Sequence, residues 1–463
     1  MNNLLDLINF LLCLLAPVLL GRLVLGAFIK FDDTFFPPEK FFIAFGLGFG
    51  IITLVMFYLS MAGVSFTSLP VISSLLFPFA AIFLFLKYKK RRRPSSSKQA
   101  FHIPKQGGPF KGLCVFLFII IFVNALGVII RAWLVEIDMW DSWAFWAFKA
   151  KIYYIHEIIP FDKFHEFSTV WGHWDYPHHV PLMEAWVLMW LGYWNDQWPR
   201  IIFPVFYLGL GAGIYYFLRR YTSLLMSAAG TFFVMTLNSL QIYTMSTIAE
   251  SVLLFYYILS FLFLLRFERE GQWGLLVLSA LFISLAAWTK NEGNAYFLFN
   301  VLNIILFLKT KNFSQKIKAL LLYAAIFICI MSPWIILKNI LGLENYVINE
   351  EHLSFHAIIK NISFLPDAMR AMALDLFNLD YFNLSWMIFL FFLIRNAKIC
   401  LKPSYNYLLF TISLHILMIS GLAVLFPEPI YLTDTMGRLL MAPTILGIIF
   451  AILVMDTSSD YKV

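Results

Sequence analysis

The sequence predicts an all-α fold, a polytopic transmembrane helix bundle, and three observations carry that prediction. Of 463 residues, 61% are hydrophobic and only 13% are charged, against roughly 25% charged in a soluble domain. Apolar runs of the about 20 residues that a membrane-crossing helix needs recur from one end of the chain to the other. Runs such as 251–265 have neither the strand length nor the polar alternation of a transmembrane barrel.

Spans are predicted at about 4–29, 41–63, 68–87, 112–134, 200–218, 223–240, 249–265, 273–288, 293–308, 318–337, 383–394, 405–425 and 437–455. The first has no basic flank and no small-residue cleavage site, so it reads as a retained span. Nine Lys/Arg and no acid lie between Lys87 and Lys111, which places that stretch in the cytoplasm by the charge bias of membrane proteins. Arg219, Arg220, Arg266 and Arg269 fall on the same side if the short apolar segment 181–194 does not cross. Domain organisation follows: accessory spans 1–87, a basic cytoplasmic loop 88–111, a core 112–455 containing outer loops 135–180 and 338–382, and a tail 456–463. Gly46, Gly48 and Gly50 inside one span read as small-residue helix packing. Cys13, Cys114, Cys329 and Cys400 are scattered and predict no disulfide framework.

The residues capable of chemistry gather in the outer loops. Segment 135–180 holds seven Asp/Glu and five of the nine His, and ten of the fourteen Trp lie between Trp133 and Trp198. A helix over 142–156, capped by Asp141 or Ser142, would lie in the membrane interface with Trp143 and the aromatic surface through Tyr154 at headgroup level and Lys149 beside lipid phosphates. Asp138 and Asp141, three apart, would share a face if helical, and paired carboxylates can deprotonate a hydroxyl or hold a divalent cation. Equally, both suit ordinary solvated loop acids.

Glu250 opens a span, Lys290-Asn-Glu-Gly forms a charged turn between two apolar segments, and Arg438 stands at the mouth of the last span. Lys290 and Arg438 suit a phosphate, the arginine bidentately, while Glu250 and Glu292 suit hydroxyl groups. Gly293 reads as the turn glycine. Plainer readings are an internal salt bridge in the turn and an arginine reaching toward headgroups. The spacing of His173, Asp175, His178 and His179 matches no zinc motif. No nucleotide-binding loop, nucleophilic triad or nucleic-acid patch is legible, so no nucleic-acid partner is expected.

With Asp138 to Lys151, Asp175-Tyr-Pro, Glu250, Lys290-Asn-Glu-Gly and Gly437-Arg-Leu-Leu-Met-Ala-Pro in view, residues 110–455 resemble the integral-membrane glycosyltransferases of the GT-C superfamily. The likeness is to bacterial relatives of protein mannosyltransferases and of the aminoarabinose transferase of lipid A. Asp141-Ser142 stands where that family begins its first outer loop with an acidic pair, serine replacing the second acid. The resemblance implies an inverting transfer of sugar from a polyprenyl-phosphate donor to an acceptor hydroxyl on a glycan, lipid or protein. It also implies a bacterial inner membrane with the active face outward. In that reading Asp141, or Asp138, is the base. Lys290, Arg438 and Lys149 bind the donor phosphate, and Glu250, Glu292, Trp143, Tyr176 and His178 bind substrate. Asp141 and Glu250 would hold a divalent cation if one takes part. A transporter or flippase of an amphipathic lipid-linked substrate is the alternative, and the scarcity of polar residues inside the central spans speaks for the transferase.

Overall fold

The computed structural model describes residues 3–28, 34–67, 110–167, 172–308, 313–343, 354–400, 403–427, 431 and 435–456. The predicted span 68–87, most of the basic loop 88–111 and the tail from 457 lie outside them. Among the described residues the protein is all-α and polytopic, with eight helices long and apolar enough to cross a membrane, or nine if one bent pair counts as a span.

The principal helices are α1 (Asn3–Phe28), α2 (Pro37–Met61), α3 (Lys111–Leu134), α4 (Ala147–His156), α5 (His179–Leu191), α6 (Ile202–Tyr221), α7 (Leu224–Met235) and α8 (Asn238–Met245). They continue with α9 (Glu250–Glu270), α10 (Trp273–Thr289), α11 (Glu292–Phe307), α12 (Phe313–Ile340), α13 (Leu365–Leu376), α14 (Ser385–Arg395), α15 (Pro403–Leu425) and α16 (Met436–Met455).

α9 is apolar around its whole circumference and is buried along its spanning length, as is most of α16. A helix that is hydrophobic on every side belongs at the centre of a bundle. α3 and α12 turn most of their surface outward, as helices that face lipid do. α1 and α2 touch through backbone: a Cβ on Gly48 would overlap the Pro17 carbonyl, so only glycine permits that approach. Gly46 lies against Phe255 and Gly50 against Leu285, which gives the glycine run the packing role expected of it.

α7 and α8 meet at a 55° bend. α5 settles the doubt over 181–194. Its 13 residues span about 20 Å at 1.5 Å each, short of a hydrocarbon core of about 30 Å. Both its flanks also sit at one face: Asp175 accepts from Asn291 Nδ2 at 3.1 Å, and Arg200 donates to the Val135 and Met245 carbonyls. The segment is therefore buried without crossing, and Arg219 and Arg220 lie at the face opposite Glu250.

Within the loop 338–382, α13 packs on α15 and α16 while Met369 and Leu374 remain exposed. It is a surface helix flanking the bundle. The central spans are less apolar than expected: Asn300 donates to Ser260 Oγ at 3.1 Å and to the Tyr323 hydroxyl at 2.9 Å, and Asn303 donates to Thr411 Oγ1 at 2.8 Å. These bonds join α9, α11, α12 and α15, as polar contacts between membrane helices do.

Candidate functional site

Five ionisable side chains from four separate stretches of sequence meet at one face of the bundle. α10 ends where Lys290 turns to extended backbone, with φ −154° and ψ 149°, and α11 restarts at Glu292. The connection is tight because α11 is pressed onto the end of α10: a Cβ on Gly293 would collide with the backbone of Ala286 and Ala287. Gly293 is thus required by close approach and not by a left-handed turn, a correction to its reading as a turn glycine. The result is a lysine aimed inward, its Nζ 2.9 Å from Glu250 Oε1 and 2.9 Å from Glu292 Oε1.

Asp141 enters from the other side. The chain after Met139 begins with a π-helical turn, Ser142–Trp146, a distortion that re-aims side chains and recurs at functional sites. Ser142 Oγ donates to the Ser246 carbonyl and anchors the turn beside α9. Asp141 stands at the N-cap as expected, but its side chain makes no capping bond; the carboxylate accepts from Arg438 Nη1 instead. The same Nη1 lies 3.6 Å from Glu250 Oε1, and the guanidinium sits over the Tyr243 ring at 5.4 Å. The order is Asp141, Arg438, Glu250, Lys290, Glu292, with three carboxylates against two cations. Glu250 Oε2 and Glu292 Oε2 are buried with no hydrogen-bond partner, which leaves two acceptor oxygens for an incoming hydroxyl.

A fourth acid adjoins this chain. Asp175 lies 3.6 Å from Lys338 Nζ and 3.9 Å from His173 Nδ1, and its bond to Asn291 places it one residue from Lys290. Reading the sequence missed Lys338. The signal available was a basic residue at the end of a span that the charge bias places outside the cytoplasm, where basic residues are not expected.

Burial alone would lower the Lys290 ammonium, but the Glu250 and Glu292 carboxylates more than offset it and hold its pKa well above the ordinary value. Tyr176 is pushed well above the usual phenol range, first by burial and then by the negative field of Glu292. It stays a neutral hydroxyl beside the acids.

Four expected site residues lie elsewhere. Asp138 is 47% exposed and pairs at 3.7 Å with Arg131 on the end of α3, because residues 136–138 are not helical and so present no shared face with Asp141. Trp143 is 48% exposed and packs edge-on against Trp140 at 4.3 Å, at the surface. Lys149 does not meet headgroups: it is fully buried, donates to the His173 carbonyl at 2.6 Å and lies over Trp174 at 5.4 Å. Burial drops its pKa to about 7, with Asp175 opposing. His178 is enclosed by aromatic rings, with Trp334 at 4.4 Å and the Tyr153 hydroxyl 2.8 Å from Nδ1. Burial holds it neutral, and it serves the packing of α5.

Arg438 lies between Asp141 and Glu250 and places its positive charge between the two carboxylates, and among the described residues no three His, Cys, Asp or Glu gather as ligands. No family model matches the chain, and neither does any curated protein or any solved structure.

Proposed function

We propose that the protein transfers a sugar from a polyprenyl-phosphate donor to an acceptor hydroxyl at the face that carries Asp141. The observation that supports this most is the linked arrangement of Asp141, Arg438, Glu250 and Lys290 at one end of a bundle otherwise fitted to lipid. A donor whose tail stays in the membrane can deliver its phosphate there without leaving it.

Each residue then has a chemical task. Arg438 and Lys290 bind the phosphate and stabilise the charge it gathers as the anomeric C–O bond breaks. The Asp141 carboxylate accepts the proton of the acceptor hydroxyl as its oxygen attacks the anomeric carbon from the opposite side, which inverts the configuration. Glu250 Oε2, Glu292 Oε2 and the Tyr176 hydroxyl orient the sugar and the acceptor. Arg438 binds Asp141 in the resting state, so the arriving phosphate must take the guanidinium over, and this exchange releases the base only when donor is present. On this reading the site faces outward from a bacterial inner membrane, and membrane lipids surround it.

A second reading, movement of a lipid-linked amphiphile across the membrane, gains support from the buried polar group formed by Ser260, Asn300, Asn303, Thr411 and Tyr323. Proteoliposomes separate the two readings. A radiolabelled polyprenyl-phosphate sugar supplied with envelope acceptors should yield labelled product and free polyprenyl phosphate. Redistribution of intact donor between leaflets, with no product, would support transport instead. Purified Arg438→Gln should bind polyprenyl phosphate at least about tenfold more weakly, the loss of one charge-assisted bond pair.

A further inference from the structure

The face opposite the candidate site carries a second cluster of charge, part of it buried. Glu39 opens α2, Arg220 ends α6, and Arg266, Arg269 and Glu270 end α9. Arg220 grips Glu39 with both Nη atoms, at 3.1 and 2.6 Å, and Glu39 Oε2 also accepts from the Phe36 amide at 3.2 Å. Arg266 takes both oxygens of Glu270, at 2.7 and 3.1 Å, and Gln272 donates to the second of them at 3.2 Å. The two carboxylates are thereby committed. Arg220 and Arg266 each hold one of these acids, and Arg269 has no ion pair of its own among the described residues.

The shortfall appears in the hydrogen bonds. Arg266 Nη1 and Arg269 Nη1 and Nη2 are buried with no partner, although Arg266 is only 1% exposed. Buried guanidinium N–H groups without an acceptor are costly, and a sequence keeps them where something supplies the acceptor. Arg266 also lines a cleft together with Glu39, its other walls being Gly213, Phe217, Leu259, Leu262 and Phe263. Arg269 is held flat on the Tyr221 ring at 4.4 Å, which fixes its planar fork. Donors three residues apart on one helix lie on one side of it. Several guanidinium N–H groups without an acceptor, beside an apolar wall, suit a tetrahedral oxyanion.

We propose that Arg266 and Arg269 form a phosphate-oxyanion site at this face, separate from the site at Asp141. The oxyanion comes either from the headgroup of an anionic membrane phospholipid or from a free phosphate, and the chemistry of recognition is the same for both.

The test uses the full chain, purified and delipidated in detergent. Native mass spectrometry follows retention of phosphatidylglycerol and of dioleoylglycerol, which has the same chains and no phosphate, while thermal unfolding follows inorganic phosphate. The expected result is one phosphatidylglycerol retained by the wild type and at least about tenfold weaker retention by Arg269→Gln, with dioleoylglycerol indifferent to the substitution. Stabilisation by inorganic phosphate that Arg269→Gln abolishes, without lipid retention, assigns the same site to a free anion. Equal behaviour of wild type and variant toward both phosphate probes overturns the site. If Arg269→Gln does not fold, Arg269→Lys, which keeps the charge and loses the fork, replaces it: weaker retention supports the site and wild-type retention overturns it.

Discussion

Arg438 reaches Asp141 across 297 positions of sequence and stands 3.6 Å from Glu250 with the same nitrogen. The base and the phosphate ligand of the proposed reaction therefore occupy one another before substrate arrives. Asp141→Asn should loosen that hold and leave Arg438 freer for phosphate. Binding of polyprenyl phosphate to this variant is expected to be about two- to tenfold tighter, in line with coupling of about 0.5–1.5 kcal/mol between contacting charges. A competition binding assay in detergent reads it, and weaker binding would break the proposed exchange.

Lys290 holds two buried acids. Lys290→Met leaves Glu250 and Glu292 without their shared cation, and breaking a buried pair in this way costs about 3–5 kcal/mol. Thermal unfolding should show a large loss for Lys290→Met and a smaller one for Lys290→Met combined with Glu250→Gln, which also removes a stranded charge. Equal losses would mean that the acids do not depend on the lysine.

Gly293 sets the position of Lys290 through backbone contact with Ala286 and Ala287. Gly293→Ala forces α11 away from α10, an overpacking cost of about 1–3 kcal/mol. Transfer should fall further than the loss of folded protein accounts for, since the displaced turn carries Lys290 with it. Unchanged specific activity per folded molecule would show that the turn tolerates the shift.

The fold class, the packing glycines and the positions of Glu250, Lys290 and Arg438 at span ends were legible from hydrophobic run lengths and from charges placed where those runs stop. Their meeting was not, because it depends on α9, α10, α11 and α16 packing side by side, and no periodicity encodes that neighbourhood. Asp138 misled for a local reason: three-residue spacing implies a common face only in a helix, and the chain there is irregular. Lys149 misled because a lysine on an aromatic helix fits headgroup contact and burial equally well in sequence. The fold of the His173–His178 stretch beneath that helix decides for burial.

Lys149 also makes stability depend on pH. Its pKa is about 7 in the folded protein against 10.5 for a free lysine. Between these values the unfolded chain binds more protons than the folded one, so this group makes stability rise with pH from about 7 toward 10.5. Its burial penalty is fully present below pH 7. Lys149→Met should flatten the rise in melting temperature between pH 7 and 9.5, and an undiminished slope would assign the effect to other groups.

The most direct measurement is the initial rate of sugar transfer from a polyprenyl-phosphate donor by Asp141→Asn and Asp138→Asn, purified and compared with the wild type. Loss of the base should lower kcat about 10²- to 10⁴-fold in Asp141→Asn with donor binding retained, while Asp138→Asn, altered only at an exposed ion pair, should transfer at the wild-type rate. Wild-type transfer by Asp141→Asn would contradict the assignment of Asp141 as the base.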